Sequence, residues 1–250
     1  MNELKRIVNT YFNKNTEASV YNNGVTDGVQ INNIIQNMIQ FEKPDIISEY
    51  DKKIIGIEHF EFDSYKNNKK GSDYKIKEYE IEKKFSAFMR RELPKRKNVS
   101  LTNILKSSST LENYYTNFTT HFLNHYNKID EYKNNIKSKI NIKDKELEMW
   151  FFVEDVSPLG SYFMNKKREI NLLHPFYNID IIKLLENSPK VKGIILGTYA
   201  MKEYKVIFIY NNDKNIENLK KNIVDITENN FLSFEPHTTG FATLIPKQDK

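Results

Sequence analysis

The sequence predicts an α/β protein: a mixed central sheet carrying an antiparallel hairpin with carboxylates on it, flanked by helices. Two observations carry this expectation. Apolar runs with strand character alternate along the chain with segments of helical period. In addition, Ile46-Ile47 and the run Ile54–Phe60 are separated only by the polar stretch Ser48-Glu49-Tyr50-Asp51-Lys52-Lys53, too short for a crossover, so this strand pair must be antiparallel. The 250 residues suit a single domain over 1–250, with a compact core at about 29–93 and a helical and strand extension over 108–250.

Taken in order, Leu4 to Phe12 reads as a short helix, and Asn22-Asn23-Gly24 and Asp27-Gly28 as turns. Asp27 can cap a helix from about Val29 to Phe41, whose Ile31, Ile34, Ile35, Met38 and Ile39 share one face. After the hairpin, a polar loop from Ser64 to Gly71 leads to a helix over Tyr74 to Leu93. Ile76, Tyr79, Phe85, Phe88 and Met89 form its apolar side, and Pro94 ends it. Ser109-Thr110-Leu111-Glu112 matches a capping box and opens a long helix towards Ile140. Met149–Val153 is a buried strand, Asn178 caps a helix over Ile179–Leu185, Val191–Leu196 and Lys205–Tyr210 are strands, and Ile216–Ile226 is helical.

Composition narrows the chemistry. With Cys 0, disulfides, thiolate nucleophiles and cysteine-ligated metals are excluded. Tyr 15 and Phe 16 supply ample core material. The start Met1-Asn2-Glu3-Leu4-Lys5-Arg6 has no signal-like apolar run behind it, and no window approaches the ~20 apolar residues of a membrane span, so a cytoplasmic protein without membrane association is expected. The net charge of +5 permits a polyanionic partner without requiring one. There is no P-loop, no Gly-x-Gly-x-x-Gly and no Gly-x-Ser-x-Gly elbow.

The hairpin holds the strongest chemical signal. A turn at Asp51-Lys52 sets Asp45 directly opposite Glu58, with both side chains on one face and Cβ atoms roughly 4.5–5.5 Å apart. Two ionised carboxylates that close repel, and a divalent cation relieves the repulsion. His59, Glu61 and Asp63 alternate onto the opposite face as a second polar row; in this register Glu61 opposes Glu42 and is the alternative ligand.

Pro44-Asp45 followed by Ile54-Ile55-Gly56-Ile57-Glu58 resembles the PD-(D/E)xK nuclease superfamily, over roughly residues 29 to 93. The resemblance implies a restriction-endonuclease-like core and metal-dependent hydrolysis of phosphodiester bonds in DNA, with RNA as the alternative substrate. It implies Mg²⁺ or Mn²⁺ held by Asp45, Glu58 and the carbonyl of His59, and it admits a homodimer. The family's lysine two residues after the glutamate is replaced by Phe60; Lys69 and Lys70, just before Gly71-Ser72 and the next helix, are the candidates to supply it, with Lys70 preferred. Loss of that lysine also admits a catalytically degenerate nuclease fold that binds nucleic acid or a protein.

The basic segment Met89–Lys97 offers Arg90, Arg91 and Lys95 as phosphate contacts, although cations at a helix C-terminus are favoured by the helix dipole in any case. Lys166-Lys167-Arg168 is a shorter basic run. His121 and His125 share a helix face, read as an ordinary amphipathic surface, and His174 and His237 fall in loops. Glu154-Asp155 at the end of a strand reads as the start of a polar turn that could add acid to a site.

Overall fold

The computed structural model describes residues 19–21, 33–68, 71–92, 95, 98–104, 109–158, 160–200, 203–232 and 237–243. The helix expected at Leu4–Phe12 and the lysines Lys69 and Lys70 lie outside the described residues. Strands β1 (Ser19–Tyr21), β2 (Met38–Gln40), β3 (Ile46–Tyr50), β4 (Lys53–Phe62), β8 (Glu146–Asp155), β11 (Val191–Ala200) and β12 (Glu203–Tyr210) form one seven-stranded mixed sheet in the order β1-β12-β11-β8-β4-β3-β2. β2, β3 and β4 form an antiparallel meander, β4, β8 and β11 run parallel, and β11 turns back into β12. The fold is therefore α/β with a mixed central sheet, as the alternation of periods predicts.

The hairpin has the expected register. Ile46 pairs with Ile57 and Ile47 with Gly56, and Asp51 and Lys52 both take positive φ (44° and 60°), which matches a two-residue primed turn. A regular 3.6-residue spacing does not hold to Phe41 in the segment before it. The described helical turn covers 33–36, and Met38–Gln40 is an edge strand on β3. Ile39, counted on the apolar helix face, is 56% exposed there. Ladder bonds to β3 win over helical propensity because β-branched isoleucine fits a strand at least as well.

Helices cover one face of the sheet. Past the small pair β5 (Asn67–Asn68) and β6 (Gly71–Ser72) comes α1 (Asp73–Glu92), followed by strand β7 (Asn98–Ile104). The expected long helix is two: α2 (Leu111–Tyr126) and α3 (Ile129–Lys139), broken at Asn127-Lys128. The cap of α2 lies one residue later than the capping-box reading placed it, with the Thr110 hydroxyl accepting from the Asn113 N–H; Ser109 instead donates to the Ser64 hydroxyl at 2.6 Å. β9 (Tyr162–Met164) and β10 (Ile170–Leu172) pair as a hairpin, and β13 (Phe231–Leu232) joins β9. Asn178 caps α4 (Ile179–Glu186) as expected. Asn212 caps α5 (Asp213–Lys221), which begins and ends earlier than the Ile216–Ile226 reading. A final strand, β14 (His237–Thr243), pairs with β7.

The main core lies between the sheet and α2–α5, where Phe60, Phe62, Met149, Phe151, Val153, Ile194 and Leu196 meet Phe118, Phe122, Ile136, Ile182 and Leu219. Each fully buried large side chain contributes roughly 1.5–3 kcal/mol. The opposite face carries Ile55, Ile57, Trp150, Phe152 and Ile195, packed with Ile34 and Met38. α1 departs from expectation: of its apolar residues only Met89 is buried, and Tyr79 is 66% exposed. It projects as a largely solvated arm. Among the described residues no helix is long and apolar enough to cross a membrane.

Candidate metal centre

β4 sorts its residues by parity. Glu58, Phe60 and Phe62 face the helices, while Ile55, Ile57, His59 and Glu61 face the other way. The second series is apolar where the strand crosses the core and polar where it reaches its C-terminal end. On β8 the same face carries Trp150, Phe152 and then Glu154. The parallel register puts Glu61 beside Glu154 and His59 beside Phe152. Gly197 of β11 is the neighbour of Glu154 on its other side and adds no side chain.

The result is a group of His59, Glu61 and Glu154 that could hold a metal ion, with one ligand atom from each lying within 4.8 Å of the others. Donors on opposite sides of one small cation, with bonds of roughly 2.1 Å, lie about 4.2 Å apart, so modest side-chain motion would close the group on an ion. His59 and Glu154 are buried, and Glu61 is half-buried. A His59 ring nitrogen (Nε2) lies 3.2 Å from Glu154 Oε2, and Lys75 Nζ lies 2.7 Å from Glu61 Oε2. Two carboxylates are thus brought together at the C-terminal ends of parallel strands, where open α/β sheets place ligands.

A cavity of about 330 Å³ opens at this end of β4, and Glu61, Asp63, Asn67, Lys75 and His121 line it. Burial raises the Asp63 carboxyl above the usual aspartate range. Burial, then the neighbouring His125, lowers His121, which is neutral at pH 7. Asp155, at the end of β8 but on the helix-covered face, is pushed up to about 6 by burial.

The Asp45–Glu58 pair occupies the helix-covered face. Asp45 Oδ2 accepts the His59 backbone N–H at 2.8 Å, so its carboxylate fixes the start of the polar end of β4. Glu58 Oε1 accepts the Tyr132 hydroxyl at 2.8 Å and lies 3.0 Å from His125 Nδ1, while Oε2 is buried without a hydrogen-bond partner. Burial and then the bond to Glu58 raise the Tyr132 phenol. Phe60 is 4% exposed and stacks on His125, so the position where the family has a lysine is core. His59 meets the metal-type group through its side chain, on the face away from Glu58.

At the far end of α1, Arg90 and Arg91 are exposed, and Glu92 accepts from Arg91 at 2.8 Å and lies 3.7 Å from Lys95 Nζ. Lys166, Lys167 and Arg168 are exposed in the turn between β9 and β10. In the sequence, His59 and Glu61 read as the second polar row, while Glu154 reads as the start of a turn and Lys75 falls inside the helix expected from Tyr74. The parity of β8 (Glu148, Trp150, Phe152, Glu154) was the available signal; its parallel register against β4 was not. No family model, curated protein or solved structure matches the chain.

Proposed function

We propose that the chain is a divalent-metal-dependent nuclease that hydrolyses phosphodiester bonds of DNA, with RNA as the alternative substrate, and that its ion is held by His59, Glu61 and Glu154. The observation that carries this reading is the grouping of those three donors, of which Glu61 also pairs with the Lys75 ammonium and lines, together with Lys75, the cavity at the end of β4. One imidazole and two carboxylates favour Mn²⁺ over Mg²⁺, since Mg²⁺ prefers an all-oxygen shell. An ion bound there would neutralise phosphate charge and acidify a water.

The chain's own residues supply the remainder. Lys75 stands where the missing in-strand lysine is needed, delivered by the first turn of α1 rather than by β4. It can release Glu61 to the ion and turn to a phosphate oxygen. His121, neutral and lining the same cavity, can accept a proton from the attacking water. From Lys75 to Arg90 along α1 is about 22 Å, enough to follow roughly six nucleotides of a strand. Arg90, Arg91 and Lys95 would then give salt-sensitive backbone affinity.

The test is cleavage of single- and double-stranded DNA and RNA in Mn²⁺, in Mg²⁺ and in chelator. Glu154→Gln and Lys75→Ala should each lower the Mn²⁺-dependent rate by at least about 100-fold. Cleavage that persists in chelator, or in Glu154→Gln, would overturn the assignment. A second reading, a nuclease-like fold that binds nucleic acid or a protein without cutting, is favoured by the burial of Phe60 and by the bonds already made to Glu58. It requires binding with no product under any metal.

A further inference from the structure

The solvent face of α1 carries a stripe that the packing of the helix does not use. Lys75, Tyr79, Lys83, Ser86 and Arg90 are all exposed and follow one another at helical spacing, which sets them on one side of the helix. Ile81, Phe85 and Phe88, on the opposite side, are half-buried. Tyr79 is 66% exposed, the most exposed large apolar side chain among the described residues. Lys75 and Lys83 flank it, each one helical turn away and about 6 Å along the axis.

The charges on this stripe are open to a ligand. Among the described residues Lys83 and Arg90 make no ion pair or hydrogen bond, whereas the adjacent Arg91 is held by Glu92 at 2.8 Å and lies 5.8 Å over the Phe88 ring. Acids of the first turns are engaged within the helix, Asp73 with Lys77 at 2.6 Å and Glu78 with Tyr74 at 2.9 Å. Glu82 is the acid that borders the stripe. At the N-terminal end Lys75 lines the cavity together with Glu61. The face is a row of cations with one aromatic ring between them, and it leads to that cavity.

This combination selects among polyanions. Cations spaced along a helix attract any phosphate backbone. A phenol ring between them adds a surface on which a base can stack, and an unpaired strand has base faces to offer, while in a duplex each base is already stacked on its neighbours. From this arrangement we infer that the exposed face of α1 is a track for single-stranded nucleic acid. Lys83 and Arg90 hold phosphates, Tyr79 stacks on a base, and Lys75 leads the strand to the cavity at the end of β4. The inference rests on the nuclease reading for its class of ligand and deepens it by naming the unpaired strand as the substrate.

The experiment measures binding of the full chain by fluorescence anisotropy, in chelator so that the metal centre is silent. The probes are short labelled homo-oligonucleotides of DNA and of RNA and a DNA duplex of the same length, each over a series of salt concentrations. The single strands should bind about tenfold more tightly than the duplex. Tyr79→Ala should remove that advantage, weakening single-strand binding by about tenfold with its salt dependence unchanged, and Tyr79→Phe should retain it. Lys83→Ala and Arg90→Ala should each lower the slope of log K against log[salt] by about 0.7, the value for one phosphate contact on a single strand. All three positions are exposed, and circular dichroism confirms that the variants are folded. Equal affinity for strand and duplex, or affinity unchanged in Tyr79→Ala, would overturn the track even where Mn²⁺-dependent cleavage persists. Single-strand binding that is lost in Tyr79→Ala supports the track even where no metal yields product, a result that overturns the nuclease reading alone.

Discussion

Phe60 lies flat against His125, with ring centroids 4.9 Å apart and 8° between the planes. Its edge meets Phe151 at 5.6 Å. The side chain two residues after Glu58 therefore belongs to the packing between β4 and α2, and it holds the imidazole that lies 3.0 Å from Glu58. A lysine at that position would bring a charge into an aromatic cluster rather than into a cleft.

Phe60→Lys should accordingly destabilise the protein without creating activity. Removal of a buried phenylalanine costs about 3–5 kcal/mol, and an unpaired buried ammonium adds to that. Urea denaturation measures the loss. A variant of unchanged stability with faster metal-dependent cleavage would mean that the Glu58 face is the open one.

Asp45 acts on His59 from behind, through a 2.8 Å bond from the backbone N–H. Asp45→Asn retains an acceptor and should keep metal affinity within a few-fold of the parent. Asp45→Ala loses it and should weaken affinity by about 10–100-fold, the usual effect of removing a group that orients a ligand. Equal, complete loss in both variants would instead make the carboxylate charge itself a ligand.

Gly193 faces the indole of Trp150: a Cβ built there would lie 2.4–2.6 Å from three of its ring carbons. Trp150 is fully buried and rigid, so it cannot yield as the end of a flexible side chain could. Alanine's better strand propensity is worth about 0.5–1 kcal/mol, and the overpacking cost of about 1–3 kcal/mol outweighs it. Gly193→Ala should lower the melting temperature and alter the emission of the single tryptophan; unchanged values would contradict the packing described.

His174 gives stability a pH dependence of known sign. Its folded pKa, about 3, lies below the ordinary histidine value of 6.5. The unfolded chain therefore binds the proton first, and stability present above pH 6.5 is lost as pH falls towards 3. At pH 5 the loss is about 2 kcal/mol. The raised carboxyl of Asp155 works in the opposite direction, its ionised form being disfavoured as pH rises through about 6. Comparing the parent with His174→Phe isolates the histidine: the difference between their unfolding free energies should shift in favour of the variant on going from pH 7 to pH 5. A difference constant with pH would show that the ring is solvated.

Much of the architecture was legible because local patterns are one-dimensional. The Asp51-Lys52 turn follows from a six-residue polar gap between two isoleucine-rich runs, and Asn178 sits one residue before an apolar helix. Other features depended on partners distant in sequence. Ile39 joins a strand because β3 offers it a ladder, and Tyr79 stays exposed because α1 leaves the sheet. The His59–Glu61 row could be read from alternation on β4. Its third member could not, because Glu154 reaches it only through a parallel pairing across 93 residues between Glu61 and Glu154. The same pairing moves the strongest metal-type group from the Asp45–Glu58 face to the opposite side of the sheet.

The most direct test of that move is calorimetric titration of Mn²⁺ into the metal-free parent, Glu154→Gln and Glu58→Gln, with circular dichroism confirming that all three are folded. A centre at His59, Glu61 and Glu154 gives one tight site per chain in the parent and in Glu58→Gln and none in Glu154→Gln. Binding retained in Glu154→Gln and lost in Glu58→Gln would contradict it and return the ion to the Asp45–Glu58 pair.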